Sequence, residues 1–189
     1  MAKIGFRYFK YAPFSGEEPA NGLPNYGEAM QIGKAISADI SREYAEGELY
    51  ADDGIAESDR EFTKGTISAV VDDIMEKVEA AIFGATANAG STGVTYGADD
   101  NPPFGGAVFI RVVKRNGVKG YEANYFPKVK ATLGNDAAET KGSGFTYQTT
   151  ALSLEYFAAN DEKHTYRDKE TFEDEAEAKA WCDNKLGKA

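Results

Sequence analysis

Cysteine and histidine are nearly missing from this sequence: 189 residues hold one of each, Cys182 and His164, and one tryptophan, Trp181. A single thiol cannot close an internal disulfide, and it excludes every zinc pattern built on several cysteines. One imidazole leaves little for a histidine-based centre. Long apolar runs are absent too. The longest, such as residues 107–110, are only a few residues, so no segment has the length of a membrane-spanning helix. Lys3 and Arg7 are followed by Tyr and Phe mixed with Lys, not by the apolar core of a secretion signal. Basic residues are in deficit, 21 Lys and Arg against 31 Asp and Glu, a net charge of −10. That sign opposes non-specific binding to nucleic-acid phosphates. A chain of this length buries about 70% of its unfolded surface and needs no covalent or metal staple. The expectation is a single soluble domain, residues 1–189, from a reducing compartment.

Glycine (20), tyrosine (11) and phenylalanine (11) are abundant, which leans toward β structure with many turns. Residues 4–14 read as an extended arm or first strand, ended by Pro13 and a Gly/Pro loop, so that 1–34 form an N-terminal arm and loop. Residues 35–46 have period two, with Ile36, Ala38, Ile40 and Tyr44 on one side. Gly47 is expected to break this strand, and residues 48–52 to pair back briefly before an Asp52-Asp53-Gly54 turn. Residues 62–71 form the next strand. A short helix follows, capped by Asp72 or Asp73, with Ile74, Val78, Ala81 and Ile82 on one face and Gly84 as its stop. Residues 85–106, rich in small residues around a lone Tyr96, read as an extended loop. Asn116-Gly117 then joins residues 107–115 and 118–126 in a hairpin. Further strands are expected at 128–133, 145–158 and 164–172. The C-terminal extension, 160–189, ends in a helix over 174–186.

Nothing in this order assembles a catalytic centre. Of the acidic pairs, Asp52-Asp53 lacks the alternating ligands of a calcium loop and suits a turn, and Asp72-Asp73 suits a helix cap. Cys182 beside Trp181 lacks the basic setting that activates a thiol. No P-loop, dinucleotide-binding glycine motif or nucleophile elbow occurs. No enzymatic activity, metal or cofactor is expected.

Charge is unevenly spread. Residues 39–79 carry 13 acids against 4 bases, whereas residues 106–130 carry Arg111, Lys114, Arg115, Lys119, Lys128 and Lys130 against Glu122 alone. Two readings stand: solvated strand faces, or an interface where an acidic surface meets the basic hairpin of a neighbouring copy.

The stretch Ala35-Ile-Ser-Ala-Asp-Ile-Ser, then Glu48-Leu-Tyr-Ala-Asp-Asp-Gly-Ile-Ala-Glu, then Gly65-Thr-Ile-Ser, resembles the core pattern of major tail tube proteins of long-tailed (siphovirus-type) bacteriophages. Gly106-Ala-Val-Phe-Ile-Arg-Val-Val with its Asn-Gly hairpin and the Gly-Ser-Gly-Phe-Thr-Tyr-Gln-Thr run from 142 are similar too. The likeness spans residues 30–158, and the segment after 160 matches least. It implies a mainly β (α+β) fold, a β-sandwich or partial barrel with one internal flanking helix and a C-terminal helix, related to the type VI secretion tube. It also implies a structural virion protein, assembled in the host cytoplasm, whose hexameric rings stack into a tube. Its partners would be further copies, the tape measure, tail terminator and distal tail proteins, and DNA passing without specific binding. Candidate interface residues are Arg7, Tyr50, Asp52, Asp53, Tyr96, Arg111, Lys114, Arg115 and Lys119. The alternative is a non-catalytic β-sandwich module that binds carbohydrate or decorates a virion surface.

Overall fold

A computed structural model describes residues 2–51, 54–88, 93–132 and 149–187, with backbone alone at 2–3, 49–51 and 54–57. Ten strands and two helices follow in the order β1 (Ala2–Pro13), β2 (Met30–Gln31), β3 (Ala35–Ala51), β4 (Gly54–Val71), α1 (Glu76–Phe83), β5 (Thr86–Ala87), β6 (Val94–Thr95), β7 (Phe104–Arg115), β8 (Val118–Thr132), β9 (Thr150–Phe157), β10 (Asp168–Phe172) and α2 (Glu175–Lys185). The fold is mainly β. Its main sheet is antiparallel, in the order β2-β1-β7-β8-β9-β4-β3, with β10 also on β8.

The middle of the sheet is buried on both faces, and the sequence shows why. Residues 105–113 of β7 are continuously small or apolar apart from Arg111, and every one is buried. Such a run marks a strand covered on both sides. One face carries Phe9, Phe109, Phe126, Ile67, Leu154 and Tyr156, closed by Val78, Ile82 and Phe83 of α1. The other carries Val108, Ile110, Ala123 and Tyr125 under Ala178, Cys182 and Leu186 at the C-terminal end of the chain. The sheet curls until β3 lies against β1 without pairing to it, a barrel left partly open.

Several boundaries differ from the sequence expectation. Gly47 does not break β3; it pairs with Asp59, and the ladder runs on to Ala51 opposite Gly54. Both faces of this stretch meet solvent, so a residue without a side chain loses no packing there. The following strand accordingly starts at Gly54 rather than 62. Residues 128–132 are not a separate strand but the end of β8, which passes through Pro127. Pro127 has no N–H for a ladder, and it falls where the β7 register slips between Gly105 and Ala107. There β8 also changes partner, from β10 at 121–125 to β9 at 128–132.

Neither Asp72 nor Asp73 caps α1; Met75 occupies that place without a side-chain bond. Asp72 instead accepts from the Lys34 N–H at 2.5 Å and the Asp73 N–H at 2.8 Å, and Asp73 from the Ile74 N–H at 2.9 Å. The Lys34 bond first of all holds the Asp72 carboxyl below its ordinary value. Gly84 does end the helix, at φ 70. The 85–106 segment is less loop-like than expected, because it holds the β5–β6 hairpin and the first residues of β7. The strand start expected at 145 lies outside the described residues. β9 alternates as anticipated, with Leu152, Leu154 and Tyr156 inward. β10 is shorter than 164–172: His164, at φ 48, belongs to the preceding turn, where Thr165 bonds the Asp161 carboxylate. The last helix matches, with Asp174 accepting from the Ala176 N–H.

Candidate subunit interface

Two hairpin tips lie at the same end of the sheet: the β3–β4 hairpin outruns its neighbours, and the β7–β8 tip stands just beyond Ala2 of β1, which pairs with Lys114. β9 stops at Phe157, level with Lys128 of β8, and its last β4 pair is Tyr156 with Gly65. Beyond that level β4 continues back to Gly54 with β3 as its sole partner among the described residues, a two-stranded ribbon about 35 Å long. Residues 41–48 and 58–60 are exposed on both faces. The second hairpin is the tip of β7 and β8, where Asn116 (φ 49) and Gly117 (φ 86) make the left-handed two-residue turn that the sequence called for. β10 covers one of its edges.

The two prongs carry opposite charge. Residues 43–61 hold eight acids and one base, Arg60. Arg60 pairs with Glu46 on the opposite strand, which leaves the ribbon strongly negative. At the other tip Lys114 faces Lys119 across the ladder, with Arg115 beside them, all three exposed. Lys119 lies 5.1 Å from the Tyr121 ring centre, and Val118 stands 66% exposed. Like charges directly opposite one another on a ladder are destabilising.

The remaining candidates are scattered. Arg7 is on β1 and pairs with Glu175 at 3.0 Å, so it fastens the sheet to α2. β1 itself is a full strand between β2 and β7, not a free arm. Tyr96 follows β6 and is exposed, its hydroxyl donating to Glu79 of α1. Tyr50 pairs through its backbone with Ile55 near the ribbon end, while Asp52 and Asp53 lie outside the described residues. Arg111 is the exception on the basic hairpin: it is 8% exposed and turned toward Glu122 in the interior. Composition counted it with Lys114 and Arg115, but β-strand parity puts it on the Phe109 face, opposite Lys114, and its place inside the sheet separates it from Arg115, exposed at the tip. Missing from the sequence reading were Glu43, Glu46, Glu48, Asp59 and Glu61 of the ribbon. The eight acids between 43 and 61 were the available signal, masked by the assumption that Gly47 ended the strand.

Cys182 is buried on the inner face of α2 against the sheet, and burial pushes its thiol up to about 12. Its folded value therefore exceeds the 9.0 of a free thiol. Its contribution is complete well below pH 9 and is lost as pH rises through 9 toward the folded value, because only the unfolded chain releases the proton. The slope is at most about 1.4 kcal/mol per pH unit. Urea unfolding is expected to show stability falling from about pH 8 upward, with the buried tyrosines Tyr11, Tyr26 and Tyr125, whose hydroxyls are also raised, adding to the fall as pH approaches 10. Cys182→Ala is expected to make the fall shallower between pH 8 and 10; an equal fall in the variant would contradict the assignment.

Among the described residues no three His, Cys, Asp or Glu side chains are grouped to hold a metal ion. Among the described residues no helix is long and apolar enough to cross a membrane. No family model and no curated protein matches the chain.

Proposed function

We propose that this chain is a tail tube subunit, a structural virion protein whose copies join side by side into hexameric rings that stack into a hollow tube for genomic DNA. The observation that carries the reading is the β3–β4 ribbon. A two-stranded ribbon in water is marginal on its own, and among the described residues the outer edges of both its strands have no partner over its distal half. Lateral contact with the same ribbon of neighbouring copies supplies those backbone groups with partners and, on closure of the ring, removes every edge. The direction of assembly follows from the fork: an acidic prong and a basic prong at one end of one chain are complementary to the next chain, a head-to-tail contact that closes by rotation.

A lumen lined by acidic ribbons repels the phosphate backbone, so DNA passes without being held. The ordered sequence likeness over residues 30–158 supports the same reading, as does the partly open, mainly β barrel. A carbohydrate platform needs aromatic rings side by side, whereas the exposed rings of Tyr44, Tyr96 and Phe104 sit on three different elements. The test is charge reversal at the basic tip. Lys114→Glu, Arg115→Glu and Lys119→Glu together are expected to leave thermal unfolding within a few degrees, because surface changes of this kind cost roughly 0.5 kcal/mol each. Light scattering is expected to lose the high-mass species. Normal tubes from the triple variant would remove the charge-matched contact.

A further inference from the structure

Where the apolar interior reaches the open mouth of the barrel, it ends in a layer of arginine. Arg111 lies on the Phe109 ring and Arg167 on the Phe126 ring, at 5.3 and 5.5 Å from the ring centres, and the two rings are themselves stacked at 5.8 Å. Both guanidinium groups are about nine-tenths buried. One carboxylate, Glu122, serves them, and it serves them poorly: Arg111 Nη1 and Arg167 Nη2 stand 3.9 Å from it and Lys169 Nζ 3.8 Å, too far for direct hydrogen bonds. Arg167 donates to Asn124 Oδ1, but its Nε–H is buried and has no acceptor. Arg42, reaching in from β3, bears on both arginines as a third like charge, and burial weakens the charged form of each.

This arrangement is costly as it stands. The two buried guanidinium groups share one buried carboxylate, Glu122, which leaves one buried positive charge in excess, while Arg42, Lys169 and Asp39 lie exposed around them. A buried unpaired cation costs several kcal/mol. Solvent reaches the layer at Arg111 and at the exposed Arg42. A groove of about 460 Å³ between β1 and β3 is lined by Ile4, Gly5, Phe6, Ser37, Asp39 and Arg111. Planar guanidinium forks that converge from different elements are the usual receptor for tetrahedral oxyanions.

We propose that Arg42, Arg111 and Arg167 bind a divalent oxyanion of phosphate or sulfate size. One negative charge of such an ion offsets the buried excess and the other the neighbouring Arg42, and its oxygens supply the acceptor that Arg167 Nε–H lacks. Glu122 and Asn124 then hold the forks in place, while Lys169 screens the solvent side.

The test is a titration of the full chain with inorganic phosphate at pH 8, at ionic strength held constant with sodium chloride. It is followed through the arginine Nε–Hε signals and by calorimetry. Saturable binding of one phosphate per chain is expected, with the Arg167 Nε–Hε signal moving most. Arg167→Lys and Arg42→Gln are each expected to weaken it about tenfold, the loss of one charge-assisted hydrogen bond. Arg42 is exposed, so that variant decides the matter if changes at Arg167 disturb folding. No saturation beyond the chloride control, or unchanged affinity in Arg42→Gln, would overturn the proposal. A short single-stranded oligonucleotide, whose phosphodiesters are monoanions, is expected not to compete. Displacement of phosphate by it would overturn the assignment to a free dianion.

Discussion

Replacing residues 46–60 by Asn-Gly is expected to abolish assembly while leaving a folded monomer. The excision joins Ala45 to Glu61, which already face each other, through the turn best suited to closing two antiparallel strands. It keeps Tyr44 and Phe62, and Phe62 is needed because its ring stacks on Tyr156 and Tyr166. The described side chains that it removes are exposed, so the monomer is expected to change by no more than about 1 kcal/mol. Association has no such reserve. The ribbon supplies both the open backbone edges and most of the negative charge that meets the Lys114–Lys119 tip. Sedimentation of the variant is expected to show one slow species at concentrations where the parent forms rings. Rings from the shortened chain would place the contact elsewhere.

Gly65→Val is expected to be the most damaging single change to the fold. A Cβ at Gly65 would sit 2.2 Å from Cζ of Tyr156, whose ring lies flat over the glycine. That ring cannot step aside. It is fully buried, packed by Phe62, Phe126 and Tyr166, and its hydroxyl donates to the Ser41 carbonyl at 2.8 Å, which ties β9 to β3 across β4. Overpacking and the lost hydrogen bond together cost about 4 kcal/mol. For a chain of this length that lowers the melting temperature by roughly 10 °C or more. Tyr156→Phe, which loses the hydroxyl alone, is expected to cost only about 1 kcal/mol. A Gly65→Val protein that melts with the parent would show that the ring moves freely.

The mainly β character, the Asn116-Gly117 hairpin, the inward face of β9 and the last helix were all legible, because each rests on a local signal: alternation, a two-residue turn, a capping aspartate. What was not legible depends on partners distant in sequence. Gly47 reads as a breaker until Asp59 stands opposite it. Pro127 reads as the end of a strand until β8 is seen to exchange β10 for β9 there. Asp72 has the spacing of a cap, yet the Lys34 N–H, 38 residues away, takes its carboxylate. The same holds for the arginines. Arg111 looks like a member of a basic surface, and only strand parity together with Arg167, far along the chain, places it at the mouth of the core. Lys114, Arg115 and Lys119 were recognisable because turn tips are exposed whatever the fold.

Ring formation is the central claim, and an end view tests it most directly. Class-averaged electron micrographs of the purified protein at high concentration are expected to show rings of six-fold symmetry around an open pore, stacking into tubes of constant width. Monodisperse single copies at that concentration, without rings or tubes, would contradict the account.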